Sequence, residues 1–192
     1  SQQKSFGDLI YYDSTRINLG LIQDDINVLW DLAVHDISIL NFLKNEKPTY
    51  VSCIGHKYIS SKPETAAFLT LKYKTNFIAH INVNWLSPVK IRKTILGGSN
   101  KMIVYDDIAE DKILIYDKGI DRLADLDQGM DFDDPRTFVF NHRSGDVVVP
   151  NIKWEEPLKI QIDHFLDCIK HKVKCLTGTE HACMVVKILS EG

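Results

Sequence analysis

The chain has 192 residues, 44% hydrophobic and 26% charged, with a formal net charge of −3. That length carries one domain with a full-sized core, and the near-neutral charge gives no electrostatic pull towards nucleic acid or an acidic membrane, so neither is expected as a partner. No apolar run reaches the roughly 20 residues of a membrane span, and the polar start Ser1-Gln-Gln-Lys-Ser has no signal-peptide character, so the expected location is cytoplasmic.

Residues 7–18 alternate with period two in their second half and are rich in aromatic and branched side chains, which predicts a strand. After a loop over residues 20–25, Asp24 or Asp25 is placed to cap a long helix that ends near Lys44-Asn45, before Pro48. Four strands follow, over residues 49–58, 65–73, 76–86 and 90–96, with turns at Lys74-Thr75, Ser87-Pro88 and Gly97-Gly98. In the third of these, Phe77, Ala79, Ile81, Val83 and Trp85 share one face; His80, Asn82 and Asn84 share the other, facing solvent or a partner subunit. Two short strands are expected over residues 101–106 and 112–117, an exposed acidic loop over 121–136, and a hairpin over 137–149 turning at Ser144-Gly145. Leu158, Ile162, Phe165, Leu166 and Ile169 recur at helical spacing behind Pro157, giving a second amphipathic helix. Residues 180–192 are helical in pattern and stop where the sequence stops, so the chain reads as part of a longer polypeptide. The expected fold class is α+β: a large, mostly antiparallel, open-faced sheet with helices packed on one face.

The chemistry concentrates in the first helix. Asp31 and His35 are one helical turn apart and share a face, within a stretch that is otherwise apolar almost all round. Burying an isolated charge there costs several kcal/mol, roughly, so the pair either satisfies itself or lines a wet pocket. There is no G-x-G-x-x-G after a strand, no Walker motif and no G-x-S-x-G, so the chain carries no nucleotide-binding loop of its own. Cys53, Cys168, Cys175 and Cys183 show no C-x-x-C spacing and read as reduced structural residues. A zinc site drawn from Cys168, His171, Cys175, His181 and Cys183 matches no standard finger spacing, and no metal is expected.

In order along the chain stand Gly7-Asp-Leu-Ile-Tyr, Arg16-Ile-Asn-Leu-Gly20, Trp30-Asp-Leu-Ala-Val-His-Asp36, Asn84-Trp-Leu-Ser-Pro-Val-Lys-Ile-Arg92, Gly97-Gly98 and Glu156-Pro-Leu, the last running on to His164-Phe-Leu-Asp-Cys168. In this order they resemble the C-terminal domain of the Gfo/Idh/MocA oxidoreductases, and the Asn-Leu-Gly and Asn-Val-Leu-Trp-Asp-Leu wording is similar to members that oxidise sugar nucleotides at the 3-position. The resemblance implies an N-terminal Rossmann domain, absent from this sequence, that binds NAD(P), with no cofactor expected on the present residues. It implies that residues 1–192 are a single substrate-binding and oligomerisation domain, forming a homodimer or homotetramer through the sheet and inactive without its cofactor domain. His35 would exchange the proton of a sugar, sugar-nucleotide or cyclitol hydroxyl, and Asp31 would orient the imidazole and support its charged form. Arg16, Asn18, Lys90 and Arg92 are the expected substrate contacts, the cations suiting a diphosphate. Glu46-Lys47-Pro48 copies the family's lysine motif in letters but not in context, and Lys47 is read as coincidence.

Three other readings compete: a self-satisfied ion pair in a buried helix, a non-catalytic sheet domain for dimerisation or partner binding, and a metal-dependent phosphohydrolase using His35-Asp36. The last suits all-helical proteins, not a strand-rich chain.

Overall fold

The structure is a computed structural model describing residues 6–59, 62–117, 145–153 and 155–192, with the backbone alone at 119–120 and 142–143. Strand β1 (Leu9–Leu19) leads through a loop to a π-helical turn (Leu29–Ala33) continuing as α1 (Val34–Lys44). Then come β2 (Tyr50–His56), β3 (Ala66–Lys72), β4 (Ile78–Asn84), β5 (Leu86–Gly98), β6 (Met102–Asp106) and β7 (Ile113–Tyr116). The short strands β8 (Gly119–Ile120), β9 (His142–Arg143) and β10 (Val147–Val148) precede α2 (Pro157–His171) and α3 (Thr179–Glu191).

Eight of the strands form one sheet in the order β10-β7-β6-β5-β1-β4-β3-β2. Among the described residues every pairing is antiparallel except β1 with β4, which run parallel. The expected α+β architecture is therefore present.

Strict alternation sorts the sheet into two faces. Ala67, Leu69 and Leu71 of β3, Ala79, Ile81 and Val83 of β4, and Tyr12 of β1 are buried beneath α1 and α3, against Ile37, Leu40, Val185, Ile188 and Leu189. The opposite face carries Tyr50, Ile54, Phe68 and Ile78, all exposed, with the His80 ring stacked on Phe68 and bonded through Nδ1 to Asp13 at 3.0 Å. Helix α2 contributes little to the core: Leu158, Ile162, Phe165, Leu166 and Ile169, the face expected to pack, are exposed.

Several boundaries differ from the sequence reading, each for a local reason. The first helix is held at its start not by Asp24 or Asp25 but by Asn27, whose Oδ1 accepts the Trp30 N–H at 3.1 Å. Its end falls as expected, with Asn45 in the left-handed conformation that closes helices. That helix is less enclosed than its apolar composition suggests, since Trp30, Phe42 and Leu43 are exposed. Ser87-Pro88 is not a turn but lies inside β5, where Leu86 pairs with Leu19 and Ile91 with Ile17. Residues 87–90 thus bulge opposite Asn18 alone, and a bulge is where a sheet tolerates a proline that cannot donate to the ladder. The real reversal is at Asn84, whose Oδ1 accepts the N–H groups of Leu86 at 3.2 Å and Ser87 at 3.0 Å. Gly97 and Gly98 end β5 rather than forming the turn, and the Tyr11 ring occupies the space a Cβ at Gly97 would need. The acidic stretch 121–136 lies outside the described residues. Of the hairpin expected over 137–149, the described part does not pair with itself: β9 pairs with β8 and β10 with β7, so it returns along the preceding strand.

Candidate active site

The chain passes from β4 to β5 around the end of β1, which lies between them, and the single residue making that step is Trp85. Its backbone is fixed on both sides, accepting the Gly20 N–H at 3.1 Å and donating to the Thr65 carbonyl at 3.0 Å. The indole is buried, and its Nε1–H donates to Asp31 Oδ2 at 2.8 Å. Asp31 sits in the π-helical turn, a wider winding often found at functional positions, and its bonded partner is Trp85 rather than His35. Asp31 is therefore held rigid by a charge-assisted bond to the sheet, one turn before His35.

His35 stands in the first turn of α1 and is exposed on one side. The next residue, Asp36, is 1% exposed and turns inward to a dense set of donors. Arg16 Nε reaches Asp36 Oδ2 at 2.7 Å and Arg16 Nη2 reaches Oδ1 at 3.2 Å. Ser14 Oγ adds a bond to Oδ1 at 2.7 Å, and the Tyr12 hydroxyl donates to the Asp36 carbonyl at 3.1 Å. Tyr12, Ser14 and Arg16 are alternate residues of β1, so a strand's period of two points all three at the same turn of helix. A buried carboxylate so bonded locks the azimuth of α1, and the azimuth decides that His35 faces out.

The imidazole's pKa lies below its ordinary 6.5, chiefly through partial burial and then the Arg16 guanidinium; Asp36 pulls the other way, Arg92 lowers it further, and Asp31 raises it slightly. The expected support of a charged imidazole by Asp31 is thus present but outweighed, and the neutral ring is the favoured resting form. Arg92 pairs across the sheet with Arg16, and its Nη1 donates to Asp107 Oδ2 at 3.4 Å while its Nε is buried without a hydrogen-bond partner. Tyr105 completes this side by donating to Asp107 Oδ1 at 2.9 Å; burial and that carboxylate push its phenol up to about 12.

The structure thus gathers Asp31, His35, Arg16 and Arg92 around one end of α1. Asn18 and Lys90 belong to the adjoining bulge, where Lys90 is exposed and Asn18 lies close to Gly20, beside Trp85. Arg16 is committed to Asp36, with only 12% of its side chain exposed, so it offers less to a ligand than its charge suggests. From sequence, Tyr105 and Asp107 drew no notice, Trp85 was placed only on the core face of its strand, and Asp36 was weighed only with His35 as a phosphohydrolase doublet. Asp36 had the same claim to notice as Asp31, a carboxylate in an apolar helix, but its partner lies 20 residues away on β1. His35 stands on open surface: a cleft of about 820 Å³ lies elsewhere, between the end of α1 and the start of α3, walled by Asn41, Glu46, His181 and Met184. Lys47 lines that cleft and is remote from the His35 cluster.

Residues 22–104, which include Asp31, His35, Lys90 and Arg92, match the model of the GFO/IDH/MocA C-terminal domain. Comparison with curated proteins gives no match. Among solved structures, UDP-N-acetylglucosamine 3-dehydrogenase GnnA from Acidithiobacillus ferrooxidans superposes with a TM-score of 0.75 at 16% identity, over 98% of this chain and 54% of that one. A dehydrogenase, MviM, from Clostridium difficile gives 0.66 at 16% identity, over 98% and 55%. GenD2 from gentamicin A biosynthesis, in complex with NAD, gives 0.70 at 13% identity, over 100% and 54%. The chain therefore spans about half the length of these structures. Residues 22–104, with the helix that carries Asp31 and His35, thus match the GFO/IDH/MocA C-terminal domain model, and the fold of these solved structures is shared over nearly every residue of the chain.

Proposed function

We propose that this domain forms the substrate side of an NAD(P)-dependent oxidoreductase acting on a secondary hydroxyl of a sugar, sugar nucleotide or cyclitol. The observation that carries the reading is His35: a solvent-facing imidazole, biased towards its neutral form, held at a fixed azimuth by the buried Asp36 beside it. A neutral imidazole can take the proton of a substrate hydroxyl, which an imidazolium cannot, so the lowered pKa suits a general base in the oxidation direction. Asp31, anchored on Trp85, steadies the imidazolium once the proton has arrived. Arg92, with Asn18 and Lys90 on the neighbouring bulge, suits the remaining hydroxyls and, in a sugar nucleotide, the diphosphate.

The described residues do not fit a dinucleotide. Among the described residues no glycine-rich turn leads from a strand into a helix, and at the start of the first helix the Trp30 N–H is already taken by Asn27. Hydride exchange at the carbinol carbon belongs to a nicotinamide carried by a separate Rossmann domain, without which the chain binds substrate but does not turn it over.

The test is reduction of NAD or NADP by the protein joined to such a domain, across a panel of UDP-sugars and cyclitols. His35→Asn should lower kcat on the order of 100 to 10,000-fold, the usual contribution of a positioned acid–base group, with KM nearly unchanged. Undiminished turnover by His35→Asn would remove the imidazole from the chemistry. A second role, oligomerisation through the open sheet face, is favoured by the exposed Ile54, Phe68 and Ile78.

A further inference from the structure

Helix α2 poses a separate question. From Pro157 to His171 every residue is exposed except His164, half-buried, and Cys168, buried. These two are one turn apart, and both face Cys175 in the segment returning to α3. His164 Nε2 is 3.5 Å from Cys168 Sγ and 3.5 Å from Cys175 Sγ, and the three potential ligand atoms all lie within 4.8 Å of one another. The Leu176 N–H points at the same nitrogen, at 3.1 Å. A ring nitrogen has one lone pair or one hydrogen, so hydrogen bonding serves only one of these three neighbours.

The distances suit another arrangement. Around tetrahedral zinc, with Zn–S near 2.3 Å and Zn–N near 2.0–2.1 Å, a sulfur and a nitrogen stand about 3.6 Å apart and two sulfurs about 3.8 Å apart. We propose that His164, Cys168 and Cys175 bind a thiophilic divalent cation of the zinc class, pinning α2 to the segment that leads into α3. Both thiols give their protons to solvent on binding, the cation displaces the Leu176 N–H from Nε2, and water takes the fourth corner on the half-exposed side of Cys175. The other residues weighed for zinc from sequence stand apart. His181 Nε2 is 2.8 Å from Ser38 Oγ, Cys183 is exposed, and His171 is the exposed last residue of α2. The signal missed in sequence is His164: its C-terminal partner follows at four residues and the third at eleven, a spacing that only a helix and the bend after it make compact.

The test is titration of the reduced, metal-stripped protein with Co(II). One equivalent should give the visible bands of a tetrahedral ion and a near-ultraviolet thiolate charge-transfer band, both displaced by Zn(II). Cys168→Ser and Cys175→Ser should each abolish the charge-transfer band or cut affinity at least tenfold, while Cys183→Ser should change neither. Far-ultraviolet circular dichroism checks that the variants are folded, and Cys175→Ser lies outside any helix or strand. Absence of the bands in the parent protein overturns the proposal, as does their persistence at unchanged affinity in both serine variants. So does a Cys168–Cys175 disulfide found by mass spectrometry in protein isolated without reductant.

Discussion

At the scale of the residue, Asp36 carries more structural weight than either of the residues most readable in the sequence. It is fully enclosed and bonded by Arg16 and Ser14, and a buried charge pair is costly to break from one side because the survivor stays buried. Asp36→Ala should therefore cost about 3–5 kcal/mol in urea unfolding, whereas Asp36→Ala combined with Arg16→Met should recover part of it. Equal losses in the single and double variants would show that the pair is not the source. His35 gives a pH signature of known sign. Its folded pKa is depressed, so the unfolded chain takes up the proton first as pH falls below the ordinary 6.5, and stability is lost from there down to the folded value. His35→Asn should flatten the stability profile in that window, and the ring's own titration, followed by NMR, should have its midpoint below 6.5 in the folded protein. A midpoint above that value would mean that Asp31 and Asp36 outweigh burial and the two arginines.

At the scale of the element, legibility followed periodicity. The core strands β3 and β4 were readable because their apolar residues repeat at 2.0, which physics demands of any half-buried strand, and the helix at residues 34–44 from its long apolar composition and the Pro48 beyond its end. What escaped reading was set by partners distant in sequence. Pro88 reads locally as a turn, yet it sits in a strand because β5 bulges where it meets the end of β1. The π turn at Leu29–Ala33 leaves no mark in composition; in the structure it coincides with the Asp31 bond to Trp85, 54 residues on. The candidate site was legible to the same degree. Asp31 and His35 were visible as one turn of helix, while Arg16, Ser14 and Asp36 become a unit only when β1 is laid under α1.

At the scale of the whole molecule, the described residues fill one face of the sheet with α1 and α3 and leave the other open. On the open face Ile54 is 73% exposed, Phe68 47% and Ile78 44%, on adjacent strands around the stacked His80. An apolar band spanning three neighbouring strands is a natural self-complementary interface. Replacing Ile54 and Phe68 together by Asp should convert an oligomer to monomers in light scattering without lowering thermal stability measured on the monomer. An unchanged mass would place the interface elsewhere.

The central position of β1 also sets the order of assembly. This first strand pairs with no strand near it in sequence: its contacts run from Asp13 to His80, 67 residues on, and from Ser14 to Thr94, 80 residues on. During synthesis the first strand must wait, unpaired on both edges, until β4 and β5 have emerged, and closing loops of that length is slow compared with forming hairpins such as β2–β3. The long-lived edge is therefore at the beginning of the domain. A nascent chain halted before residue 98 exposes it, making the early ribosome-bound domain a natural client for a chaperone that shields extended segments.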